Sequence, residues 1–259
     1  MNASALATSG TVDAAVSGRR AAERYFFAAA ASVVLVTTIL GFHHFYFEGR
    51  AWPGRPLTPQ IRGLVLTHGL GMTAWLLLMV LQPLLVARRA VSLHKKLGWA
   101  AAALGVALVP LAFTTAILGT RLTAPDPAAP FTPQQFLAEP MLVITGFALF
   151  VAAGVWQRRN ARAHRALLLM GTMLVASAGP ARLDAWLALY THTPFMAVFG
   201  DMFATVLIGL LVLGAHRVVT GRFDGWLAGA FAAMCIWIAL VNHTITAAWW
   251  VPVSSWLLA

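Results

Sequence analysis

Cysteine is almost missing from this chain of 259 residues, and negative charge is nearly as scarce. The single thiol, Cys235, sits inside an apolar run, which excludes an internal disulfide and any CxxC redox or metal site. Asp and Glu together number eight against eighteen Lys and Arg, and all four make up 10% of the chain, where soluble domains carry about a quarter. Signature loops are missing as well. There is no Gly-rich phosphate loop, no HExxH, no GxSxG and no dinucleotide fingerprint, so nucleotide-driven chemistry and the common hydrolase chemistries have no support.

What the chain has instead is apolar length. It is 60% hydrophobic with a mean hydropathy of +0.78. Uncharged runs cover Tyr25–Phe47, Gly63–Ala87, Leu97–Thr120, Pro140–Gln157, Ala166–Ala181, Met202–His216 and Gly225–Ala259. A bilayer core of about 30 Å takes roughly 20 such residues per helix. The ten-residue apolar/polar alternation of an outer-membrane barrel is not seen. The expected fold is therefore all-α, a polytopic bundle of about seven transmembrane helices.

The net charge of +10 raises the question of nucleic acid, but its placement answers it. With the N-terminus inside, the cytoplasmic segments hold Arg19, Arg20, Arg24, Arg88, Arg89, Lys95, Lys96, Arg158, Arg159, Arg162, Arg165, Arg217 and Arg222. Only Arg50, Arg55, Arg62, Arg121 and Arg182 fall on the other side. Thirteen against five is a positive-inside pattern for an N-in, C-out protein of the bacterial inner membrane. The implied partners are the lipid bilayer and membrane subunits, with no nucleic acid. Met1 to Glu23, polar and without an apolar core, is expected to form a disordered cytoplasmic tail ahead of a transmembrane domain over 24–259. The first run is expected to stay as an anchor helix, being long and far from the start for a cleaved signal.

One motif recurs. Arg88-Arg89-Ala-Val-Ser-Leu-His94-Lys95-Lys96-Leu97 and Arg158-Arg159-Asn-Ala-Arg-Ala-His164-Arg165-Ala166-Leu167 share RRxxxxH(K/R)xL at an offset of 70 residues. Either the second and third helices and the fourth and fifth are tandem copies of one hairpin, or helix ends on the cytoplasmic side have simply collected basic residues. Ala215-His216-Arg217 is a weaker echo.

Histidines carry what chemistry the sequence offers. In the second run His68, Met72, Trp75, Met79 and Gln82 fall on one helical face, too polar for lipid and so expected to look inward. At a rise of about 1.5 Å per residue, His68 and His243 lie roughly 9 and 12 Å inside the outer boundary. A turn at Thr191–Pro194 then places Arg182 and Asp201 at a matching depth on adjoining helices. These four residues form one expected polar layer, and charges at that depth are costly unless paired. His94 and His164 form a second layer on the inner side, with basic neighbours for haem propionates. His43-His44 ends the first run beside Phe45, Tyr46 and Phe47, an aromatic belt able to add a ligand.

Thr67-His68-Gly69 with Trp75 and Leu81-Gln82, Leu93-His94-Lys95-Lys96-Leu97-Gly98, and Ala163-His164-Arg165-Ala166-Leu167 followed by Pro180-Ala181-Arg182 resemble a family of uncharacterised bacterial polytopic membrane proteins. That family carries an outer-side His, a downstream Gln, an LHRxLG element and an H(K/R)RLM element ending in a helix with Arg. The resemblance covers roughly Phe42 to Asp201, with Leu168 and Leu169 standing where Met is usual. It implies a shared fold and a site using His68, Gln82, His94, His164 and Arg182, and no particular reaction.

Three functions follow, in order. The first is binding of haem, haem b in particular, or of a metal, for electron transfer or cofactor handling, through His68, His94, His164, His243 and Arg182. The second is transport or sensing of a small lipophilic ligand, with Gln82 and Asp201 in its polar site. The third is a ligand-free membrane scaffold or assembly factor.

Overall fold

A computed structural model describes the backbone of residues 3–52, 55–124 and 130–259, and their side chains except those of 3–20, 52 and 55. In chain order the helices are α1 (Ala3–Gly41), α2 (His43–Glu48), α3 (Arg62–Ala87), α4 (Val91–Leu122), α5 (Pro133–Phe136), α6 (Ala138–Trp156), α7 (Ala161–Val175), α8 (Asp184–Tyr190), α9 (Pro194–Phe199), α10 (Phe203–Thr220), α11 (Gly225–Thr246) and α12 (Trp250–Leu258). A minimal antiparallel ladder, β1 (Arg50–Trp52) with β2 (Arg55–Pro56), follows α2. Six helices are long and apolar enough to cross a membrane, and a seventh crossing results if α7 and α8 are counted as one bent span. The expected tail over Met1–Glu23 lies, up to residue 20, outside the described side chains.

The spans reverse direction at each connection. Arg88–Ala90, Gln157–Asn160 and Gly221–Asp224 therefore share one side with Arg24, the basic side. The α1–α3, α4–α6 and α7–α10 connections and α12 lie opposite. α3 packs on α4 and α6 on α7 as hairpins, with α1 and α11 closing the bundle against them. Its core runs through Trp75, Phe147, Met170, Met173, Leu174, Met234 and Ile238, all 2% exposed or less. Trp75 stacks edge-on to Phe147 at 5.0 Å and donates from Nε1 to Thr172 Oγ1 at 3.2 Å. A small residue opposite lets that indole in, because a Cβ on Gly105 would touch its ring at 3.0 Å. Close approach of this kind takes the place of the hydrophobic effect between helices in lipid.

Three apolar runs end differently from their sequence limits. The last, Gly225–Ala259, is not one helix. α11 already spans about 33 Å over its 22 residues. The chain then turns at Ala247 into α12, where Trp250 donates from Nε1 to the Gln134 carbonyl at 2.8 Å. The first run breaks at Phe42, between α1 and α2. The fifth starts earlier than expected, at Ala161, and stops at Val175 after about 22 Å, short of the opposite surface.

Candidate functional site

The site begins where α7 stops. Past Val175 the backbone leaves the α-helical ladder, with Ser177 bonding to Leu174 and Gly179 to Ala176 in tighter turns. Pro180 cannot supply the amide a helix needs, and Pro180–Arg182 forms a 3-10 turn before the chain bends 94° into α8. Two glycines make the break possible. A Cβ on Gly41 would strike the Gly179 carbonyl, and one on Gly179 would come within 2.7 Å of Thr38 Cα, so α1 and the unwound segment touch backbone to backbone. Irregular backbone at membrane depth survives only where protein buries it or a cavity hydrates it.

Asp201 arrives by a second break. Gly200 has φ +60, and a side chain there would also meet Asn242 Oδ1 at 2.7 Å, so glycine alone fits the turn into the 3-10 segment Gly200–Met202. Asn242 donates to the Ala197 carbonyl at 2.9 Å, and Tyr190 Oη donates to the Asp201 carbonyl at 2.7 Å. The Pro180–Arg182 and Gly200–Met202 turns pack on each other. Arg182 and Asp201 thus come from two apposed helix breaks and not from two continuous helices as the turn at Thr191–Pro194 predicts.

Glu139 completes the group. It lies in the first turn of α6, just after the capping box of Thr132 and Gln135 that starts α5. The uncharged run in the sequence begins at Pro140, which leaves Glu139 just outside it and outside the expected polar layer. The available signal was its depth, one residue ahead of Pro140 at the start of an apolar run.

Glu139, Arg182 and Asp201 line both of two adjoining cavities, about 1840 and 580 Å³. The larger also takes in Asp184 and His243, with apolar walls from Leu57, Ile61, Val65, Leu187, Met196 and Ile245. The smaller reaches His68, Ser177, Thr38 and Tyr46. His68 and His243 therefore flank the charged group from different cavities. Arg182 donates from Nη1 to the Ala178 carbonyl at 2.6 Å, with its guanidinium carbon 4.4 Å over the Phe42 ring, and it interacts electrostatically with Glu139 and Asp201. His68 Nδ1 is buried and has no hydrogen-bond partner among the described residues. The charge balance decides what such a space attracts. Among the described residues, three acidic side chains, Glu139, Asp184 and Asp201, line the larger cavity against one basic one, Arg182.

The basic side is built differently. Trp75 and Gln82 of the α3 stripe are buried, Met72 and Met79 pack on the core, and the stripe faces inward as its spacing predicts. With its amide oriented to satisfy every neighbour, Gln82 donates to the His94 carbonyl and to His94 Nδ1 and accepts from the Gly98 amide at 3.0 Å. His164 Nδ1 bonds the Gly154 carbonyl at 2.8 Å. The His94 and His164 rings stand 6.5 Å apart at 89°, each the fourth residue after its helix cap, Ala90 or Asn160. His216 is 6% exposed and sits edge-on to Phe26 at 5.1 Å. Arg165 joins Asp224 at 3.0 Å and covers Phe27 at 4.4 Å. Burial pushes the Asp224 carboxyl up, but the Arg165 hydrogen bond and the Leu227 and Trp226 amides outweigh it and hold its pKa below the usual range.

No protein-family model matches the chain, and neither the curated proteins nor the solved structures contain a significant match.

Proposed function

We propose that this multi-pass membrane protein binds a small amphipathic cation in the larger cavity, as a transporter or sensor in the bacterial inner membrane with its basic side in the cytoplasm. The carrying observation is the charged group at two helix breaks inside a membrane-depth cavity. Broken helices that free backbone polar groups around buried charge are the usual construction of substrate sites in membrane transporters, and an intramembrane ionisable group is by default a functional one. One carboxylate balances Arg182. The remaining acidic residues offer acceptor oxygens to a second, positively charged group, and the apolar walls suit a tail. Because the charged group lines both cavities, His68 meets the ligand's polar end from the smaller one, with Nδ1 left over to hydrogen-bond it.

Haem is less well supported. The 6.5 Å between His94 and His164 suits a shared group. Gln82, however, takes the Nδ1 lone pair of His94, which leaves the proton on the nitrogen an iron would need. His243 and His68 face separate cavities.

The test is thermal unfolding of the purified protein with alkyl amines and alkyl carboxylates of matched chain length. Amines are expected to raise the melting temperature saturably, more so with longer tails, and Asp201→Asn and Glu139→Gln to abolish the rise. Equal shifts by carboxylates, or none by either series, would overturn the reading. A Soret band in the dithionite-reduced protein would move the assignment to His94 and His164.

A further inference from the structure

Outside the cavities, on the α2 segment that carries Phe45 into both of them and Tyr46 into the smaller, three metal-ligating side chains converge. The ligand atoms of His43, His44 and Glu48 all lie within 4.8 Å of one another. Their local bonds set them up for a metal. His43 Nδ1 bonds the Leu40 carbonyl at 2.8 Å, which places the proton there and leaves the Nε2 lone pair outward. His44 Nδ1 meets Glu48 Oε1 at 2.8 Å, and the two imidazoles lie 3.8 Å apart, tilted 42°.

We propose that His43, His44 and Glu48 form a site for a zinc-like divalent ion on the face of the membrane opposite the basic side. Two imidazoles and one carboxylate suit borderline ions, with water completing the shell. The ion takes the place of the proton between His44 Nδ1 and Glu48 Oε1, and His44 carries its one proton on Nε2 instead, so the ligand stays a neutral imidazole. Donors around a tetrahedral ion stand about 3.4 Å apart at bond lengths near 2.0–2.2 Å, so this 2.8 Å pair has to open by roughly half an ångström. Arg50 Nη1, 3.7 Å from Glu48 Oε2, is a competing cation and turns outward as the metal enters. Binding ties one end of α2 to the other. Because Phe42, at the break before α2, and Phe45, within it, line both cavities, the ion braces their shared wall.

His43 and Glu48 are exposed and His44 only half-buried, so the variants are expected to fold. Tag-free protein is titrated with Zn²⁺ against a chromophoric chelator, and with Co²⁺ by visible absorption. One equivalent is expected to bind. Affinity should fall roughly tenfold or more in His44→Ala and in Glu48→Gln, and hold in His192→Ala, a loop histidine outside the trio. Undiminished binding by the His43→Ala/His44→Ala double variant, or no stoichiometric binding by the unaltered protein, would overturn the proposal.

Discussion

The two polar layers of this bundle lie at opposite membrane faces and have opposite characters. On the basic side Gln82, His164, Arg165 and Asp224 each bond another protein group, and His216 sits among phenylalanines. On the far side Glu139, Arg182, Asp201 and His68 border open volume. Both layers are rich in histidine and charge, and composition does not tell them apart. The difference is what the groups border: those on the basic side are packed against protein, while Arg182, though bonded to the Ala178 carbonyl, lines a cavity with Glu139, Asp201 and His68. A satisfied polar layer joins helices, while one turned toward a cavity keeps capacity for something that comes and goes.

The comparison breaks most readily at Arg182. Arg182→Met leaves two carboxylates at membrane depth without their cation, and removing one partner of a buried charge set costs about 3–5 kcal/mol. Loss of folded protein is expected in a detergent melting assay, with partial recovery in Arg182→Met/Asp201→Asn. If the single variant were as stable as the parent, the charges would not be coupled.

Next comes Gln82→Leu, which tests the satisfied layer. It strands the Gly98 amide and His94 Nδ1, and a buried polar group left unpaired costs about 1–3 kcal/mol. Stability should drop while ligand response stays, and a selective loss of ligand response would make this layer part of the site.

Asp224 gives a smaller, pH-dependent effect. Its folded pKa is depressed, so its contribution is complete above the unfolded value of about 4 and is lost as pH falls through the lower folded value. Asp224→Asn should cost about 1 kcal/mol or less near neutrality, since Asn also caps helices, and should flatten the acid limb of a stability-against-pH curve. An unchanged acid limb would assign that limb to other carboxylates.

His68→Ala is expected to change stability least, within about 0.5 kcal/mol, because Nδ1 has no protein partner to lose. Its effect should appear in ligand affinity, and a variant that melts early without altered affinity would make His68 a packing residue.

Much of this was readable from the sequence, for definite reasons. Apolar length gave the spans, and a face holding Trp75 and Gln82 among Leu and Val pointed inward because lipid excludes it. Depth counting placed His68, Arg182, Asp201 and His243 around one region. It failed where the helix it assumed does not continue: α7 unwinds after Val175, and Gly200 turns the chain at positive φ. Counting residues along an ideal helix cannot show either break, although Gly179-Pro180 was a visible breaker. Glu139 falls one residue before the uncharged run that begins at Pro140, and only the folded chain brings it into the cavities that Arg182 lines. The His94 and His164 rings stand 6.5 Å apart, but the bonding around His94 depends on Gln82, twelve residues away on another helix, and hydrogen-bond direction is not written in spacing.

The most direct test of the cavity as a site is equilibrium binding of decylamine to the purified protein, by calorimetry, beside Asp201→Asn, His68→Ala and Gln82→Leu. The expected result is saturable 1:1 binding that is lost in Asp201→Asn, weakened in His68→Ala and intact in Gln82→Leu. Binding that is non-saturable, or equal in all four proteins, would contradict the assignment and leave the charged group a structural tie between two helix breaks.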